Sequence, residues 1–188
     1  MPTPLDELLT FWFDSADPQQ MASHKQEWWM KDDAFDQKIS NDFAPLFHLA
    51  QSGELEEWKA TALGCVGLVL LLDQFPRNMF RGQAEAFACD AQARALTRHV
   101  LSRGFDQSLP LGPRLFLYLP LEHSEDLDDQ NQCVELIKSL KDKDYLNYAV
   151  QHQKIIAKFG RFPHRNDVLG RKSTPEEIEF LKQPGSSF

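Results

Sequence analysis

Arginine, histidine and asparagine recur at two places in this chain where an apolar segment runs into Phe-Pro. The first is Leu72-Asp73-Gln74-Phe75-Pro76-Arg77-Asn78, with Arg81 just beyond. The second is Gly160-Arg161-Phe162-Pro163-His164-Arg165-Asn166, with Arg171 following. Five of the nine arginines therefore lie in or just after the two motifs. A guanidinium is planar and permanently charged, and it grips a carboxylate or phosphate through two parallel hydrogen bonds, so the sharp reading is an anion site. The plain reading is structural. Arg77 pairs with Asp73 across one helical turn, while Asn78 and Asn166 cap carbonyls where proline ends each helix. If the two turns meet near His123 they form one site; if each bonds only to its own helix end, they are a repeated stop signal.

A third polar stretch, Glu122-His123-Ser124-Glu125-Asp126, follows the apolar run that ends at Pro120. On a helix, His123 and Asp126 are neighbours at three-residue spacing, an arrangement that orients an imidazole for general base work. Helix capping by Ser124 or Asp126 explains the same residues without chemistry. His152 falls on the inward face of a helix, where a hydrogen-bonded core histidine is the plain expectation. A metal site from His123, His152, His164 and Glu125 suits imidazole and carboxylate chemistry. No HxxxH or ExxH pair accompanies them and the surroundings are rich in arginine, so no metal is expected.

Helices must position these groups. Thr3, Pro4 and Asp6 read as a capped helix start leading into Leu5, Leu8, Leu9 and Trp12. Phe35, Ile39, Phe43, Leu46, Phe47 and Ala50 follow helical spacing from Asp32 to Gly53, with a kink expected at Pro45. The run from Thr61 is apolar nearly all round, as in a helix buried between others, and is expected to stop at Pro76. Ala84 to Arg103 is a strong helix by propensity, closed by Gly104. The segment before His123 reads as a short buried helix interrupted at Pro120, followed by an amphipathic helix carrying Leu127, Val134, Ile137 and Leu140. Asp144 is placed as the cap of a helix with Tyr145, Tyr148, Ala149, His152, Ile156 and Phe159 on one stripe. Thr174, Pro175 and Glu177 open a last helix through a capping box. No alternating strand pattern of useful length is present. About eight helices in antiparallel hairpins follow, and 188 residues suit one all-α domain, residues 1–188.

The charge balance narrows the partners. With 20 Lys and Arg against 28 Asp and Glu, a net charge of -8 works against non-specific binding to nucleic acid or anionic membranes. The longest apolar run, 62–72, is far short of the roughly 20 residues that span a bilayer. The beginning of the chain lacks the basic region of a secretory signal. Cys65, Cys89 and Cys133 are widely spaced without metal or disulfide patterning, so reduced thiols in the cytoplasm are expected. There is no Walker loop, no GxGxxG and no GxSxG elbow, and no cofactor is expected. The aromatics of Trp28-Trp29-Met30 are read as a buried anchor for the helix that follows.

The stretches LTFWF, WWMKDDAFD, LLDQFPRNMFRG, AFACDAQAR, FLYLPLEHSED, FGRFPHRNDVLGR and STPEEIEFL together closely resemble the bacterial family called domain of unknown function 924. The resemblance covers nearly the whole chain. It implies an all-α, tetratricopeptide-like right-handed superhelix of helical hairpins and carries no established activity.

Two classes of function remain. In the first, a pocket between helices takes a small anionic metabolite. Its ligand-binding residues are drawn from Asp73, Gln74, Arg77, Asn78, Arg81, Asp126, His152, Arg161, Arg165 and Asn166, and acid-base catalysis by His123, Glu125 and His164 would be an extension. In the second, a helical scaffold binds a partner peptide or protein and the same motifs are structural. Whether the chain is an enzyme, and its oligomeric state, stay open at this point.

Overall fold

A computed structural model describes residues 1–187 and is all-helical, with no strand among the described residues. The chain resolves into two compact units, Met1–Arg81 with Glu85–Pro120, and Gly82–Ala84 with Leu121 onward.

The first unit opens with α1 (Pro4–Phe13), where Thr3 accepts from the Asp6 amide and the Asp6 carboxylate returns a bond to the Thr3 amide. The long α2 (Asp33–Ser52) is capped by Asp32, runs through Pro45 and ends at Gly53 in left-handed backbone. Then come α3 (Ala62–Val69), capped by Thr61, and α4 (Phe75–Met79). A single π turn, Leu70–Gln74, joins them.

The expected stop at Pro76 is therefore corrected: the helical path continues to Met79. Proline lacks an N–H and its ring collides with the carbonyl four residues back. The wider turn, in which the Phe75 amide bonds to the Leu70 carbonyl, admits Pro76 in the first turn of α4.

The expected helix from Ala84 also begins later. A 3-10 turn, Ala84–Phe87, precedes α5 (Asp90–Arg103), which ends at left-handed Gly104. Likewise α6 (Leu111–Glu122) passes through Pro120, which was expected to interrupt it. The Thr97 hydroxyl donates to the Leu117 carbonyl beside the proline, at 2.9 Å.

An aromatic nest fills this unit. Trp12 lies against Trp28, Phe35, Phe75 and Phe116 at centroid separations of 5.4–6.2 Å, and the Trp28 indole donates to the Trp12 carbonyl. Burial of each such side chain is worth about 1.5–3 kcal/mol. Trp28 is the buried anchor expected; Trp29 stacks on Phe116 but stays half exposed.

In the second unit, α7 (Leu127–Ser139) and α8 (Lys143–Phe159) form a helical hairpin turned by Lys141 in left-handed backbone. The cap of α8 is Asp142 and not Asp144: its carboxylate accepts from the amides of Asp144 and Tyr145. The last helix, α9 (Pro175–Leu181), carries the expected capping box of Thr174 and Glu177. Ile155, Ile156 and Phe162 make a small core, with Phe159 and Phe180 packed against it.

Candidate functional site

Each Phe-Pro motif is engaged by acids of its own unit. In the first, Arg77 makes a two-pronged pair with Asp90 in the first turn of α5, at 2.9 and 3.1 Å. One of its nitrogens also donates to the Asp73 backbone carbonyl at 2.8 Å and lies 3.4 Å from the Asp73 carboxylate. The guanidinium thus seizes backbone next to the π turn and ties α4 to α5. Burial works to lower its pKa, but Asp73 and Asp90 outweigh burial and raise it. Asp73 is fully buried, and the Gln74 amide donates to its carboxylate. Asn78 and Arg81 both turn to Asp36 on α2, at 2.7 Å and at 2.8 and 2.9 Å. Asn78 was expected to cap a carbonyl; a carboxylate holds it instead.

The second motif has the same logic with different partners. Arg161 forks onto the carboxylate of Glu177 at 2.6 and 2.8 Å and reaches the Lys172 carbonyl. The hydrogen bonds from Arg161, helped by the Thr174 amide and the Asn166 side chain, outweigh burial and hold the Glu177 pKa down at about 2. Asn166 is buried and donates to Ser173 and Glu177. It too was expected to cap a helix-end carbonyl. Its own carbonyl oxygen is buried without a hydrogen-bond partner among the described residues.

Glu125 accepts two bonds from Arg171, at 2.6 and 3.0 Å, and one from the Phe162 amide at 2.8 Å. Burial pushes its pKa up, but Arg171 and the Phe162 amide together bring it below the usual value.

The stretch His123 to Asp126 is a turn between α6 and α7, so His123 and Asp126 do not share a helix as expected. Asp126 is exposed and caps α7 by accepting from the Asp128 amide. Ser124 donates to the buried Asp129 carboxylate. Neither arrangement leaves Asp126 orienting an imidazole.

What the second unit does assemble is a cluster around Phe162, whose ring is fully buried. Arg165 stacks on this ring, its guanidinium carbon 4.4 Å from the centroid, and donates to the His123 carbonyl at 3.0 Å. His152 meets the ring edge-on at 5.6 Å, and His164 lies 5.6 Å away. The rings of His123 and His152 are 6.4 Å apart.

The Tyr148 carbonyl, 2.9 Å from His152 Nδ1, only accepts, so Nδ1 carries a proton and Nε2 is the lone-pair nitrogen of the neutral ring. The Glu122 carboxylate is 3.7 Å from the same Nδ1. Burial, with His123, Arg165 and His164 nearby, drives the His152 pKa down to about 3 against the pull of Tyr148. Burial and Arg165 lower that of His164 to about 4, with Glu125 opposing. Both imidazoles are neutral at pH 7.

Sequence reasoning singled out His123, Glu125, His152, His164 and Arg165, and all five lie in this unit. It missed the partners Asp36, Asp90 and Glu122, the clamp role of Glu177, and the ring of Phe162 as hub. Asp36 and Asp90 did leave a signal: each is an acid in the first turn of a helix. Nothing in local spacing pairs them with arginines 13 and 45 positions away. Among the described residues no three His, Cys, Asp or Glu side chains are arranged to hold a metal ion. No helix among them is long and apolar enough to cross a membrane.

The sequence model of a family described as bacterial protein of unknown function (DUF924) matches residues 8–185. The chain belongs to this family. A solved DUF924-like structure, of a protein of unknown function from Agrobacterium tumefaciens, is 38% identical and superposes with a TM-score of 0.87. The match covers 95% of this chain and 96% of that one. Among curated proteins none matches. The all-helical architecture of this DUF924 chain is thus shared with a relative solved independently, while neither name specifies an activity.

Proposed function

We propose that this DUF924 protein binds a small anion at the cluster around Phe162, with Arg165 offsetting the charge and His123, His152 and His164 lining the site. The observation that carries the reading is the gathering of three imidazoles and one guanidinium, itself 6% exposed, around a single buried ring. Mutual positive potential is part of what keeps His152 and His164 neutral, and a bound anion would relieve it. The proposed ligand set is narrower than the sequence implied. Arg77, Arg81, Arg161 and Arg171 are each committed to a carboxylate, which supports a clamping role for them.

Acid-base catalysis is a smaller part of the reading. A general base works best with a pKa near the operating pH, and imidazoles at about 3 and 4 are weak bases until an anion raises them. The cytoplasm is the proposed setting, and three buried, unpaired thiols support it.

A thermal-shift panel of phosphate, sulfate and small di- and tricarboxylates tests the site. A binder at one hundred times its Kd adds about 2.7 kcal/mol of stability, which raises Tm by roughly 5–10 °C in a chain of this size. The gain should vanish in Arg165→Met and in the gentler His164→Asn, and persist in Arg81→Ala.

The ion pairs favour one second reading, a helical scaffold for a partner peptide in which every motif is structural. Under it no anion shifts Tm, and the Arg165 variant is merely less stable.

A further inference from the structure

A cleft of about 220 Å³ opens in the first unit, where none of the residues read from the sequence as chemical lies. Leu55, Leu68, Leu72 and Leu96 line it, each less than one-tenth exposed. The small side chains of Ala50 and Ala95 border it, and an opening this size between helices reflects their lack of bulk. An apolar cavity of about 150 Å³ already accepts benzene, so this one has room for a ring and a short tail, about nine heavy atoms.

The polar part of the lining is confined to a few groups. Lys59 and Glu56 pair at 2.6 Å, with the lysine side chain 38% exposed and the glutamate 63% exposed. A pair this open to water holds weakly and is easily exchanged. The Lys59 carbonyl is bonded to His99 Nε2 at 3.1 Å, and the His99 ring also lines the cleft. Since that carbonyl only accepts, Nε2 carries a proton and the lysine's backbone is fixed to α5.

We propose that this cleft binds a small molecule with one aromatic or branched apolar body and one carboxylate. The body would sit on the four leucines, and the carboxylate would take Lys59 from Glu56. Lys59 is the less exposed member of the pair, so the charge deeper in the cleft is positive and selects an anion over an amine. Apolar contact supplies most of the affinity and Lys59 supplies the preference.

The test is a methyl NMR titration of the full chain with 3-phenylpropionate, 3-phenylpropanol and 3-phenylpropylamine. We expect saturable shifts of the Leu55, Leu68, Leu72 and Leu96 methyls, with the carboxylate favoured over the alcohol by about two- to fivefold. Lys59→Met should erase that preference while leaving alcohol binding in place. Ala95→Trp, at an exposed helix position, should fill the space and weaken both ligands more than about tenfold with Tm retained. Ala95→Leu offers the same block with less bulk if the tryptophan disturbs folding. The proposal is overturned if those methyls do not saturate, if the amine binds best, or if both Ala95 variants bind as well as the parent.

Discussion

His152 and His164 give the residue scale its clearest consequence, because they refuse protons that an unfolded chain would accept. Their pKa values fall from 6.5 to about 3 and about 4. Below pH 6.5 the unfolded state binds protons and the folded state does not, so stability declines as pH drops from about 6.5 towards 4. The slope is up to about 1.4 kcal/mol per pH unit for each histidine. Urea unfolding at half-unit pH steps should show His152→Gln with a shallower decline than the parent. Glu177 acts in a separate, lower window. Its pKa of about 2 lies below the ordinary 4.5, so its contribution is present above about pH 4.5 and fades as pH falls through 2. Glu177→Gln should flatten the stability curve there and leave the histidine window unchanged. In the anion reading, ligand charge raises the His164 pKa. Calorimetry at pH 6 in buffers of different ionisation heat should then register proton uptake on binding.

At the scale of elements, the arginine clamps and close helix contacts set stability. Replacing Arg77 by Ala removes the cation facing Asp73 and Asp90, and should cost about 3 kcal/mol in chemical denaturation. Gly64 is tighter still: a Cβ there would overlap the Trp58 backbone carbonyl, which has little freedom to retreat. Gly64→Ala should therefore lower stability by roughly 1–3 kcal/mol despite its better helix propensity, whereas an alanine in an exposed helix would raise it. Helix starts were legible because their signal is local. Thr3, Asp32, Thr61 and Thr174 each cap the helix expected of them. Pro76 and Pro120 misled because proline's penalty assumes a regular α turn. At Pro76 a π turn changes the register, and at Pro120 the helix continues beside a donor from another helix, information that lies outside the local string. Asp144 misled for a smaller reason: Asp142, two positions earlier, offers the same side chain for the same cap.

For the molecule as a whole, an acidic net charge of -8 predicts no retention on duplex DNA at 0.15 M salt, measurable by fluorescence anisotropy. The all-helical fold was readable from end to end, since helix periodicity and caps repeat throughout and a relative of 38% identity shares the architecture. The candidate site was readable only as a set of residue types. Which arginines are occupied depends on Asp36, Asp90, Glu125 and Glu177, and their pairings span 13 to 46 positions. The cleft lined by four leucines left no trace at all, because leucines that border a void and leucines that fill a core follow the same helical stripe. The π turn at Leu70–Gln74 has a consequence for how such a chain can change over generations. It holds one residue more than a regular turn, so deleting one residue there would rotate all that follows by about 100° and carry Arg77 away from Asp90. Length changes should therefore be purged between Thr61 and Met79 and tolerated at the glycine turns near Gly82 and Gly170, where the space beside the backbone is open.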